Sequence, residues 1–235
     1  MGQMMDSLEL KIGYTFRDRG LFLQALTHSS FAHEMKNAVD NERLEFLGDA
    51  VLELVSSDFL YRNYPQLEEG AMTKLRASLV CEPTLALCAE DIDLGLYLRL
   101  GKGEDQTGGR KRPSVLSDAF EALIGAIYLD GGLEQADAFI KKNVLTDIDH
   151  KCMFHDSKTI LQELVQAEGK GSLTYRLAAA EGPDHERSYT IEAWIGEVRY
   201  GSGTGHSKKA AEQEAAYQTL LQLHNKGVSN VLKEH

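Results

Sequence analysis

Apolar residues from about Phe16 to about Asn143 recur at spacings of three and four, as in Leu21 and Ala25 or Leu75 and Leu79, a pattern that predicts amphipathic helices. Strand-like alternation is absent from this stretch. Its loops are marked by Pro65 to Gly70 and by a glycine-rich, basic run from Gly101 to Pro113. A polar, aperiodic segment from Asp147 to Ser157 reads as a linker, and the pattern changes after it. There the sequence predicts a helix from Lys158 to about Glu168, strands at Leu173 to Ala178, Ser188 to Ile195 and Val198 to Ser202, and a helix from about Ser207 to His224. The middle strand alternates Tyr189, Ile191, Ala193 and Ile195 on one face with Thr190, Glu192 and Trp194 on the other, and Ile195-Gly196-Glu197-Val198 supplies a tight turn. The expected architecture is an all-α N-terminal domain over residues 1–148, a linker at 149–156, a small α+β domain of α-β-β-β-α order at 157–226 and a tail at 227–235.

Two cores are a natural fit to 235 residues, and the 43% apolar and 26% charged fractions are those of a soluble globular protein. No apolar run approaches the roughly 20 residues that span a bilayer, and Met1 to Lys11 lacks the basic-then-apolar pattern of a signal peptide. A cytoplasmic protein without membrane association or a small-molecule cofactor is expected. Cys81, Cys88 and Cys152 are an odd number without CxxC spacing, which fits a reducing compartment and disfavours a disulfide framework or a zinc site. The net charge of −11 argues at first sight against a nucleic-acid partner. Binding depends on where basic groups cluster, however, and excess carboxylate is also what a divalent-metal site contributes.

The candidate chemistry lies in two helical segments. In Asn41 to Val55, at about 100° per residue, Glu42, Glu45, Asp49 and Glu53 fall within a sector of about 80°, and Leu44, Leu47, Val51, Leu54 and Val55 lie opposite. An ordinary solvated face is one explanation. Against it, like charges four apart each cost about 0.2–0.5 kcal/mol, no base on that face offsets them, and Phe46 and Leu52 flank the acids. The second segment, Val115 to Leu129, is apolar almost all round and therefore buried, yet it carries Asp118 and Glu121 three residues apart. Buried carboxylates need a cation, a hydrogen-bond partner or a shifted pKa. A divalent cation shared by Asp118, Glu121, Glu45 and Asp49 meets that need with hard oxygen ligands suited to Mg²⁺ or Mn²⁺; buried ion pairs with a distant base such as Arg43 or Arg76 are the alternative.

The segment NERLEFLGDAVL (Asn41 to Leu52) resembles the signature of the ribonuclease III family, and SDAFEALIGAIYLDGG (Ser117 to Gly132) resembles its second acidic block. LTHSSF (Leu26 to Phe31) and EEGAMTKLRASLV (Glu68 to Val80) are similar to other parts of that family's catalytic domain, so that most of residues 5–145 are covered. The resemblance implies an endonuclease domain in which Glu45, Asp49, Asp118 and Glu121 hold metal and Asp49 and Glu121 are catalytic. It also implies Glu42 and Glu69 as further acids of the cleavage valley, Mg²⁺ as cofactor with Mn²⁺ able to replace it, and cleavage of double-stranded RNA to 5′-phosphate and 3′-hydroxyl ends with short 3′ overhangs. Ribosomal RNA precursors and messengers are the substrates the family suggests. It implies a homodimer too, since one site cuts one strand, with Phe46 filling a pocket of the partner.

Residues 156–225 are similar to a double-stranded-RNA-binding domain, on KTILQELVQ (Lys158 to Gln166), YRL at Arg176, EGPDHERSYTIEA (Glu181 to Ala193) and GTGHSKKAAEQEAA (Gly203 to Ala216). Such domains read duplex shape across two minor grooves and the intervening phosphates. The resemblance assigns RNA contacts to Thr159, Gln162 and Gln166 on one helix face, to His185 in a turn, and to Ser207, Lys208 and Lys209 where a helix N-terminus and two ammonium groups converge on phosphate. Arg110-Lys111-Arg112 offers further phosphate contacts or merely a solvated loop tip. The acids Glu181, Asp184, Glu186, Glu212 and Glu214 in the same domain predict modest, steeply salt-dependent affinity. A non-catalytic duplex-RNA-binding protein and a small-molecule phosphohydrolase are the competing readings; the intact carboxylate quartet disfavours the first and the C-terminal domain the second.

Overall fold

The structure, a computed structural model, describes residues 2–35, 38–148, 151, 157–169, 171–182, 187–205 and 207–225. His185, most of the expected linker and the expected tail lie outside the described residues. The chain divides into two compact units, residues 1–148 and 149–235. No described helix is long and apolar enough to cross a membrane.

The first unit is helical: α1 (Gly2–Ile12), α2 (Arg19–Ala25), α3 (Ser29–Glu34), α4 (Glu42–Asn63), α5 (Glu69–Val80), α6 (Glu82–Asp91), α7 (Lys102–Gln106), α8 (Pro113–Gly131) and α9 (Leu133–Asn143). Pro113 opens α8 where its missing N–H costs nothing, and Gly132, at φ 84°, ends it. The residues between are apolar on nearly every side, so α8 is the central helix: Leu116, Phe120, Leu123, Ile124 and Ile127 are almost completely buried. α2, α4, α6 and α9 pack around it. Burying a Leu, Ile or Phe side chain is worth about 1.5–3 kcal/mol, so this helix anchors the unit and holds whatever polar groups it carries in a fixed place.

The expected apolar face of α4 is rotated. The buried stripe is Leu44, Gly48, Val51, Leu52, Val55, Ser56 and Leu60, whereas Leu54 is 58% exposed and Leu47 half-buried. Gly48 is responsible: with no side chain there, α8 approaches that side of α4, and the burial follows the approach rather than the largest apolar side chains.

The basic stretch after Gly101 is folded on itself. Arg110 pairs with Asp105 and donates to the carbonyl oxygens of Gly95 (3.0 Å) and Leu98 (2.7 Å), and Arg112 pairs with Glu104. Both guanidiniums therefore hold the loop together, leaving Lys111 exposed.

The second unit runs α10 (Ser157–Glu168), β1 (Leu173–Glu181), β2 (Ser188–Ile195), β3 (Val198–Gly205) and α11 (Lys208–Asn225), with an antiparallel sheet of order β1-β2-β3. Ile191, Ala193 and Ile195 face the helices, and Leu161, Leu164, Val165, Ala216, Leu220 and Leu223 complete the core. β1 and β3 run three residues past their expected ends. Ala178-Ala179-Ala180 and Gly203-Thr204-Gly205 carry no alternating pattern, but pairing with β2 extends them, through Ala180 opposite Tyr189 and Gly205 opposite Tyr189 on the other side. On the outer face Arg176 lies 4.1 Å over the Trp194 ring, and Glu192 accepts from both Trp194 Nε1 (3.2 Å) and Arg199 (2.7 Å).

Candidate functional site

Two glycines set the geometry. A Cβ on Gly48 would stand 1.8 Å from the Glu121 carbonyl oxygen, and one on Gly125 would stand 2.2 Å from that of Leu44. The backbones of α4 and α8 thus meet at Gly48 and Gly125, each glycine receiving a turn of the other helix. Glu45 and Asp49 flank the crossing on α4; Asp118 and Glu121 lie one and two turns before it on α8. Closing the helices to backbone contact is what brings carboxylates of different helices together.

Glu45, Asp118 and Glu121 each offer an oxygen within 4.8 Å of the other two, and all three are half-buried. Asp49 stands at the rim, exposed, yet close enough to be the strongest of the charges acting on Glu121. Glu42 is exposed on the next turn and acts on Glu45. Glu69, exposed at the start of α5, accepts from the Thr73 hydroxyl at 3.2 Å and is not part of the cluster. Glu53, the fourth acid of the α4 sector, is neutralised by Arg76 at 2.8 Å, which also donates to the Ser57 hydroxyl. Arg76 therefore serves Glu53 and not the cluster, and no ion pair to the three clustered acids occurs among the described residues.

The electrostatic consequence is large. Desolvation, then repulsion from Asp49, Glu45 and Asp118, pushes the Glu121 carboxyl from 4.5 up to about 8. Burial likewise raises Glu45, with repulsion from Asp118, Glu42 and Asp49 added. Asp118 is raised by burial too, offset in part by a hydrogen bond from Ser117 and by the nearby His28. Three carboxyls raised together on one seam, with hard oxygen donors facing one another, fit a divalent cation and fit little else.

His28 is the residue the sequence reading passed over. It caps α3, and its neighbourhood is set by a bridge between Thr27 and Arg99 that brings distant segments together. Phe46, on the solvent side of α4, is 80% exposed, so packing in its own core is excluded.

In the second unit Thr159, Gln162 and Gln166 line an exposed face of α10, opposite buried Leu161, Leu164 and Val165. Lys208 and Lys209 are exposed in the first turn of α11, which Ser207 caps by accepting from the Ala210 N–H at 3.1 Å. The glycines before them serve packing: a Cβ on Gly201 or Gly203 would meet α11 at 2.4 or 2.3 Å, and the Gly201 N–H donates to Thr219. Among the acids, Glu212 pairs with Lys158 of α10, and Glu214 accepts from Gln218 at 2.9 Å.

A ribonuclease-III-like family matches residues 18–148, and a double-stranded RNA binding motif matches residues 157–223. The chain is 51% identical over 224 residues to "Ribonuclease 3" of Caldanaerobacter subterraneus subsp. tengcongensis, covering 94% of this chain and 98% of that protein. It is 49% identical over 217 residues to "Ribonuclease 3" of Bacillus cereus, covering 91% and 89%. The nuclease domain of ribonuclease III from Campylobacter jejuni superimposes with a TM-score of 0.55 at 43% identity, over 59% of this chain and 92% of that one. A second structure of that domain, described for flexibility in a region involved in dimer formation, gives 0.55 at 44% identity, over 59% and 97%. Fold, site and likeness together define an endoribonuclease that carries its own duplex-RNA-binding fold. The chain belongs to the ribonuclease III family, whose members are metal-dependent.

Proposed function

We propose that Glu45, Asp118 and Glu121, with Asp49 at the rim, hold the divalent cation of a nuclease that cuts double-stranded RNA, leaving 5′-phosphate and 3′-hydroxyl ends with short 3′ overhangs. Convergence of three carboxylates from two helices on one seam is the observation that carries this reading. Mg²⁺ fits the hard oxygen set, with Mn²⁺ able to replace it. Such a cation supplies a Lewis acid that activates water for attack on phosphorus and offsets charge on the phosphate and the leaving 3′ oxygen.

The chain's own groups prepare that step. Glu121, whose carboxyl holds its proton up to about pH 8, gives it up to become a ligand, so that metal uptake releases a proton near neutral pH. The closed Gly48–Gly125 crossing fixes Glu45 and Glu121 on backbones that cannot slide, so the site is organised before substrate arrives. Asp49, at the exposed edge, is placed to orient water on the substrate side, with Glu42 and Glu69 as outlying acids.

Residues 157–226 bind the duplex: Thr159, Gln162 and Gln166 at one minor groove, His185 at the next, and Ser207, Lys208 and Lys209 at the phosphates between. Two copies joined through Phe46 would place two sites on one duplex, one for each strand. A cytoplasmic role on ribosomal RNA precursors and structured messengers follows from the family. Replacing Glu121 with Gln tests the assignment on a defined RNA hairpin. Cleavage in Mg²⁺ drops by at least about 100-fold while duplex binding persists, as for loss of one catalytic group; undiminished cleavage by a clean preparation would refute it.

A further inference from the structure

His28 is held on every side but one. Its backbone N–H donates to the Arg99 carbonyl oxygen at 3.1 Å, and its own carbonyl accepts from Phe31 and Ala32 at the start of α3. The ring nitrogen Nδ1 accepts from the Ser30 N–H at 3.2 Å and lies 2.8 Å from the Ser30 hydroxyl. That hydroxyl accepts from the Gly101 N–H at 2.9 Å, which leaves its proton for Nδ1. With donors converging on Nδ1, the neutral imidazole carries its proton on Nε2.

The surroundings tie this ring to the carboxylate seam. Asn41, buried at the head of α4, donates to the Ala25 carbonyl oxygen at 3.4 Å, and Gln24 donates to that of Asp40 at 3.0 Å. The chain leading into His28 is thus stitched to the end of α4 that bears Glu42 and Glu45, and α2 also packs on α8. His28 is near enough to Asp118 for its charge to draw that carboxyl down against desolvation.

We infer that His28 is a positioning residue for Asp118: with Nδ1 committed to the α3 cap, Nε2–H is a fixed donor that keeps the Asp118 carboxylate turned toward Glu45 and Glu121. This rests on the metal-site reading above. The outer partners of metal ligands act by restricting the ligand to its productive orientation, and losing one typically weakens metal binding about 10–100-fold.

Two substitutions separate capping from positioning. In His28→Asn the Asn oxygen takes over the Ser30 cap, but the side chain is too short to supply the Nε2 donor. In His28→Gln an N–H returns near the Nε2 position and the cap is lost. Mn²⁺ titrations of the full chain by calorimetry, alongside thermal unfolding without metal, read both roles. His28→Asn should keep its melting midpoint and bind Mn²⁺ roughly 10-fold more weakly, and His28→Gln should recover part of that affinity while melting earlier. In an Asp118→Asn background, His28→Asn should add no further loss, because contacting residues that act through one another are not additive. Unchanged affinity in His28→Asn, equal loss in both His28 variants, or a full His28→Asn loss without Asp118 would overturn the positioning role. Unchanged Mn²⁺ affinity in Asp118→Asn alone would instead overturn the metal-site reading.

Discussion

Glu121 occupies the point where helix packing leaves least room for a charge. Its carboxyl is raised from 4.5 to about 8, so between those values the folded chain holds a proton that the unfolded chain has released. Stability then falls as pH rises across that window, being fully present below about 4.5 and lost as the pH passes about 8. Glu45 and Asp118, also raised, act in the same direction. In metal-free buffer the melting midpoint of the wild type should drop from pH 5 to pH 8 relative to that of Glu121→Gln, and saturating Mg²⁺ should remove the drop; parallel curves would contradict it. The spacing of these acids on two helices was readable in the sequence, since periodicity alone places them. Pairing of Glu53 with Arg76 was not, because it depends on how α5 meets α4. His28 was equally hidden, its role being fixed by loop contacts with residues near Arg99 and Gly101.

At the level of elements, the crossing of α4 and α8 is the feature on which the site depends. Gly48→Ala would drive a methyl to 1.8 Å from backbone that has no rotamer to yield. The helices must separate, at a cost of about 1–3 kcal/mol or more, and the carboxylates separate with them. Thermal unfolding should show the destabilisation, and Mn²⁺ affinity should fall even where the variant remains folded; a variant with normal stability and affinity would contradict the crossing's role. Glycine leaves no mark on a hydrophobic period, which is why the sequence predicted both helices but put Leu54 on the buried side in place of Gly48 and Leu52. Similarly, the order α-β-β-β-α was legible from alternation in β2, while the ends of β1 and β3 were set by pairing with it. The glycines of β3 admit α11 to the sheet, a packing role that a local reading attaches to the phosphate site instead.

For the whole molecule, a net charge of −11 coexists with RNA binding because the charge is locally arranged. Acids gather on the α4–α8 seam, and in the second unit Glu212 is taken up by Lys158, while Lys208 and Lys209 remain exposed. Phe46, 80% exposed beside the acids, is an aromatic anchor awaiting a partner surface. Phe46→Ala should weaken self-association by about 2 kcal/mol or more, roughly 30-fold in Kd, without lowering the melting midpoint of the monomer. Sedimentation equilibrium reads this directly, and an unaltered dimer would remove Phe46 from the interface. The central claim is that carboxylates of two helices share one divalent ion. Anomalous diffraction from crystals soaked in Mn²⁺ tests it most directly: a peak bounded by Glu45, Asp118 and Glu121 is the expected result, and saturating Mn²⁺ with no peak there, or with one only elsewhere, would contradict it.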